Sequence, residues 1–160
     1  MADNFPLAEY QAACLTPLGW VAVSTSDGAV TRVKILEECP ELPGEGGDAL
    51  AARVCERLEA WLNDGDDWPR LTALAPGGTV FQQRVWKALL AIPPGETRTY
   101  GELARELGSS PRAVGGACRR NPIPLLIPCH RVVAANGDGG FAGHTRGRWM
   151  DIKRWLLAHE

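Results

Sequence analysis

Residues 128–132, Pro-Cys-His-Arg-Val, set a thiol directly before an imidazole and a guanidinium. An ordinary thiol titrates near roughly 8.5, so only a small fraction is thiolate at neutral pH unless a neighbour takes the proton. His130 is the nearest base. In an extended strand adjacent side chains point to opposite faces, so linking Cys129 to His130 requires a turn at Pro128 or a bridging water. A catalytic base normally has an orienting partner, and Glu160 on the last helical segment is the candidate carboxylate. The plain alternative is an inert buried thiol beside a structural histidine.

Five cysteines, Cys14, Cys39, Cys55, Cys118 and Cys129, are odd in number, scattered, and nowhere arranged as CxxC. This argues against a disulfide framework and for reduced thiols in a reducing compartment. His130, His144 and His159 fall in the last third, but their spacing with the cysteines matches no familiar metal pattern, so no metal is expected.

The elements that must position Cys129 are legible from caps and breakers. Thr79 and Gln82 form a capping-box pattern opening a helix through Ile92, which Pro93-Pro94-Gly95 must end. Thr99 and Glu102 repeat the pattern before "YGELAREL", closed by Gly108. Ser110 caps a third helix with Pro111 at its first position, stopped by Asn121-Pro122. Two short helices joined by Gly108-Ser109-Ser110 suggest a helix-turn-helix, whose second helix enters a DNA groove. Gly115-Gly116 in mid-helix costs about 1 kcal/mol per glycine relative to alanine, so either a ligand or a neighbouring helix is expected to approach closely there. Arg112, Arg119 and Arg120 on the same segment suit phosphate contacts. A last helix from about Trp149 is expected to bury Ile152, Trp155 and Leu156.

Upstream, "GWVAVSTSDGAVTRVKIL" reads as two strands joined by a hairpin turn at Ser26-Asp27-Gly28, followed by a break at Gly44 to Gly47. A helix capped by Asp48 and ended at Gly65 places Leu50, Val54, Leu58, Trp61 and Leu62 on one face. Residues 74–78, "LAPGG", read as a linker, dividing the chain into an α/β domain, 1–75, and a second domain, 76–160.

Charge separates along the same line. Through Ala75 there are 13 acidic and 5 basic residues; from Pro76 there are 12 basic and 6 acidic, which hides an arginine-rich second half inside a net charge of −2. No apolar run approaches the roughly 20 residues of a membrane span, and the first residues lack a signal-peptide pattern, so a cytoplasmic protein without membrane partners is expected.

"PCHRV", preceded by "RAVGGA" and "NPIPLLI" and followed by "NG…GFAG" and "KRWLLAHE", resembles the O6-alkylguanine-DNA alkyltransferase family from about Thr79 onward. The resemblance implies a ribonuclease H-like α/β first domain and a mainly α second domain carrying a winged helix-turn-helix. It implies a DNA repair methyltransferase that moves an alkyl group from O6-alkylguanine in double-stranded DNA to its own cysteine, once per molecule, with base flipping and no cofactor. By the family pattern Cys129 is the acceptor, His130 the base acting through water, and Glu160 its orienting carboxylate. Tyr100 rotates the nucleotide and donates a proton toward the departing guanine, and Asn121 is the hinge after the recognition helix. Arg112 enters the base stack, with Ala113, Gly115 and Gly116 beside it on the DNA-binding helix. Val132, Phe141 and Ala142 line the base pocket. A monomer in solution is expected, with cooperativity on DNA left open.

Two features depart from the family pattern. His144 replaces a glycine and is followed by extra residues before Lys153, and Phe141 stands where tyrosine is frequent. Three other readings compete. A non-enzymatic lesion binder of the same fold typically has tryptophan in place of Cys129, a transcription regulator would not need the thiol, and a thiol hydrolase would turn over repeatedly.

Overall fold

The computed structural model describes residues 9–43, 48–71 and 73–160, and the expected break at Gly44 to Gly47 lies outside them. The chain forms two compact units, Met1–Ala75 and Pro76–Glu160. In the first, β1 (Ala12–Thr16), β2 (Gly19–Ser26) and β3 (Ala29–Leu36) form an antiparallel sheet in the order β1-β2-β3, followed by α1 (Ala49–Asp64). The β2–β3 hairpin turns where expected, with Asp27 and Gly28 both at positive φ. β1 is an addition to the sequence reading. Its pairing to β2 runs from Ala12 opposite Val23 to Thr16 opposite Gly19, so its partner lies just along the chain, but its own polar-apolar alternation is weak.

Asp48 caps α1 by accepting from the Leu50 amide, and Gly65 ends it in the left-handed conformation. The helix buries Val54, Leu58, Trp61 and Leu62, and the sheet buries Val21, Val23, Val33 and Ile35. The expected linker begins later than its sequence suggests. Leu74 bridges Val30 in parallel, and Val30 exchanges backbone hydrogen bonds with Ala73 and Ala75, so these residues extend the sheet edge.

The second unit contains α2 (Val80–Leu90), α3 (Tyr100–Leu107), α4 (Pro111–Arg119) and α5 (Arg148–His159), with a two-residue parallel pair between β4 (Arg98–Thr99) and β5 (Val132–Val133). The Thr79–Gln82 capping box forms reciprocally at the start of α2. Thr99 caps α3 and Ser110 caps α4, each accepting from the amide three residues on. Gly108 at φ 64° ends α3 and permits the tight turn to α4. Trp86 Nε1 donates to Ala117 O at 2.8 Å, a buried bond tying α2 to α4. Among the described residues no helix is long and apolar enough to cross a membrane.

α5 differs from its expected face. Ile152 and Leu156 are buried, but Trp155 is half-buried and stacks on His159 at 4.5 Å, while Met150 and the charged Lys153 occupy the interior.

Candidate active site

Cys129 opens a single 3-10 turn, Cys129–Arg131, with Pro128 immediately before it. The turn replaces the extended geometry that would have sent Cys129 and His130 to opposite faces. Cys129 is only 7% exposed, yet it lines a cavity of about 340 Å³. Tyr100, Arg112, Gly115, Gly116, Phe141 and Ala142 line the same cavity. The volume falls in the usual range for a small-molecule or base pocket.

The next two residues of that turn, His130 and Arg131, belong to a buried charged cluster. His130 Nε2 and Glu160 Oε1 are 3.0 Å apart, and both side chains are essentially inaccessible to solvent. Arg131, fully buried, donates from Nε to Glu160 Oε1 at 3.0 Å, from a terminal nitrogen to Oε2, and from Nη1 to Ile92 O at 2.7 Å. Burial opposes ionisation of Glu160, but the hydrogen bonds from His130 and Arg131 and the Arg131 charge outweigh it and hold the carboxyl down at about 2. Glu160 is therefore a pure acceptor at neutral pH, and His130 Nε2 must carry the proton between them. Burial lowers the His130 pKa against the opposing pull of Glu160, so the neutral ring is favoured and Nδ1 is left as its basic nitrogen.

The thiol itself is raised by burial, with Asn121 and Lys153 opposing that rise. Asn121 sits just after α4. Its side chain donates to Ile127 O at 2.8 Å and accepts from the Ile123 amide at 2.9 Å, holding the segment that leads into Cys129. Lys153 Nζ, also fully buried, donates to Val132 O at 2.6 Å and Gly140 O at 2.8 Å. It fastens α5 to β5 and to the pocket loop while bringing a positive charge to the thiol side.

Tyr100, at the first position of α3, is half-buried; its hydroxyl accepts from the Gly140 amide at 3.4 Å, and burial raises its pKa. Gly139, at φ 75°, leaves room for that ring, since a Cβ there would lie 2.8 Å from it. Both α4 glycines open onto the cavity, and Gly115 also faces the start of α3. A Cβ on Gly116 would meet nothing within 4 Å, and one on Gly115 would touch only the Tyr100 ring at 3.9 Å. Arg112 stands exposed at the rim, and Ala113 beside it is half-buried.

The structure thus gathers seven of the sequence candidates around one cavity. His130, Glu160, Asn121, Ala113 and Val132 stand outside its lining, the first two in the buried cluster, Ala113 on α4 beside Arg112, and Val132 as an acceptor for Lys153. Arg131 and Lys153 were missed as site residues. A basic residue reads as surface by default, and only its tertiary partners reveal burial. Cys118, Arg119, His144 and Thr145 also line the cavity without having been singled out for it.

The model of the family described as 6-O-methylguanine DNA methyltransferase, DNA binding domain, matches residues 80–160. A methylated-DNA–protein-cysteine methyltransferase of Methanosarcina acetivorans is 54% identical over 89 residues, 54% of this chain and 54% of its own. The chain therefore spans about half the length of that relative. A Mycobacterium leprae protein of the same name is 39% identical over 131 residues, 77% of each chain. The structure of Mycobacterium tuberculosis OGT in complex with DNA superimposes with a TM-score of 0.74 at 35% identity, covering 91% of this chain and 89% of the other.

Proposed function

Because the chain belongs to the 6-O-methylguanine DNA methyltransferase family, we propose that it repairs duplex DNA by moving an alkyl group from O6 of guanine to Cys129 Sγ. The observation that carries this reading is a thiol lining a base-sized cavity, followed in the same turn by His130 of a buried Glu160–His130 pair. His130 takes the thiol proton through a water, and Glu160 stabilises the imidazolium. The thiolate attacks the alkyl carbon, forming a C–S bond as the C–O6 bond breaks. The electron pair stays on the guanine, which is reprotonated with Tyr100 as donor. The thioether product has no hydrolytic exit, so each molecule reacts once, as a suicide S-methyltransferase without a cofactor.

Chemistry at O6 inside a protein cavity requires the nucleotide to leave the stack, at a cost of a few kcal/mol. Arg112 at the rim offsets part of that cost by filling the gap, and Ala113, Gly115 and Gly116 give the DNA backbone and base close access along α4. Asn121 acts as the hinge between that helix and the thiol. Val132, Phe141 and Ala142 receive the base, Phe141 with its ring. In this reading α3 and α4 are the helix-turn-helix of a winged domain, and the first unit has a ribonuclease H-like layout. Double-stranded DNA is the partner, the working species is a monomer, and the free thiols suit the reducing cytoplasm.

The test is intact-protein mass after incubation with duplex DNA containing O6-methylguanine, followed by peptide mapping. A single methyl on Cys129, with product reaching a plateau near one per molecule, is expected. Continued turnover would point to hydrolysis, and tight lesion binding with no mass change would point to a sensor; either overturns the proposal.

A further inference from the structure

The residues that interrupt the family pattern after Phe141 build a braced wall of the cavity. Phe141 and His144 exchange backbone hydrogen bonds of 2.8 and 2.9 Å across a turn whose central residues, Ala142 and Gly143, lie at φ 51° and 83°. Two consecutive positive φ values define a tight primed turn, and the alanine adopts that conformation at a steric cost. Trp149, in the first turn of α5, holds both ends. Its indole stacks with the His144 ring at 5.9 Å and an 11° interplanar angle, and meets Phe141 at 6.3 Å. On the other side, a Cβ on Gly143 would lie 3.2 Å from the Arg119 side chain, so the turn already abuts α4.

Phe141, His144 and Thr145 line the cavity that holds Cys129. This wall cannot retreat toward α5 without unstacking Trp149, nor slide along α4 without meeting Arg119. We propose that the His144–Trp149 stack is a specificity-determining brace that fixes the pocket wall and excludes alkyl adducts much larger than methyl. The inference rests on the alkyl-transfer reading above. Trp149 acts through His144 and Phe141 and is a positioning residue.

The experiment compares single-turnover rates on duplexes carrying O6-methylguanine or O6-benzylguanine for the wild type, Trp149→Ala, Trp149→Phe and His144→Ala. Trp149→Ala and His144→Ala are expected to raise the benzyl-to-methyl rate ratio at least tenfold, while Trp149→Phe, which keeps a stacking ring, stays within about threefold of the wild type. A ratio unchanged in both alanine variants overturns the brace. The exposed position of His144 makes His144→Ala decisive should Trp149→Ala fail to fold. Failure of the alkyl-transfer reading is distinguishable, since it is seen in the wild type as absence of any methyl on Cys129.

Discussion

Glu160 Oε1 receives two hydrogen bonds at once, from His130 Nε2 and from Arg131 Nε, each 3.0 Å long. The proposed base and a buried cation therefore share one carboxylate oxygen, while Arg131 also holds the other oxygen. This arrangement keeps Glu160 ionised in the interior and keeps His130 oriented.

Replacing Glu160 by Gln leaves Arg131 buried without its counter-charge, and a loss of about 3 kcal/mol of stability at neutral pH is expected. The pH dependence follows from the depressed carboxyl, which titrates at about 2 when folded and near 4.5 when unfolded. A depressed folded value gives stability that is present above the unfolded pKa and lost as pH falls through the folded one. The gap between wild type and Glu160→Gln should therefore be full at pH 7 and narrow from about pH 4.5 toward 2. Urea unfolding across that range measures it, and a gap independent of pH would contradict the ionised cluster.

Asn121 and Lys153 both oppose the burial that raises the Cys129 thiol. In Asn121→Ala the thiol should move further up, with alkyl transfer at pH 7.5 slowed about tenfold, the equivalent of one lost hydrogen bond to a charged sulfur. The rate profile should shift to higher pH, so that raising the pH recovers part of the loss. A uniform loss at every pH would assign Asn121 to folding alone.

Arg112→Ala should slow repair of duplex substrate at least tenfold while leaving reaction with the free O6-methylguanine base within about threefold, because only the duplex requires a filled gap. Single-turnover assays on the two substrates measure this, and equal losses would remove Arg112 from a flipping role.

Two glycine-to-alanine changes should behave oppositely. Gly139→Ala places a Cβ 2.8 Å from the Tyr100 ring and 3.2 Å from the Ala134 amide at a positive φ, so about 1–3 kcal/mol of destabilisation is expected, with slower transfer. Gly116→Ala meets nothing within 4 Å and should raise stability by up to about 1 kcal/mol through helix propensity. The same methyl narrows the cavity, so repair should fall although the protein is more stable. Thermal unfolding and transfer rates on both variants decide the matter.

Helix boundaries were legible because their signals are local. Thr79 with Gln82, Thr99, Ser110 and Asp48 each act on an amide two or three residues away, and Gly65 and Gly108 need only their own φ to end a helix. The ordered motifs around Cys129 likewise named the thiol, His130 and Glu160 as a possible set. Tertiary structure decided whether that set meets, since 30 residues separate His130 from Glu160 and the α5 packing alone brings them to 3.0 Å. It also decided the fate of Arg131 and Lys153, which the sequence counts only among the basic residues of the second half but which are enclosed by carbonyl and carboxylate partners from distant segments. Burial of a charge depends on who surrounds it, and a linear pattern records only the charge. The same holds for His144 and Trp149. Their spacing announces an insertion, and only the turn at Ala142-Gly143 makes it a wall.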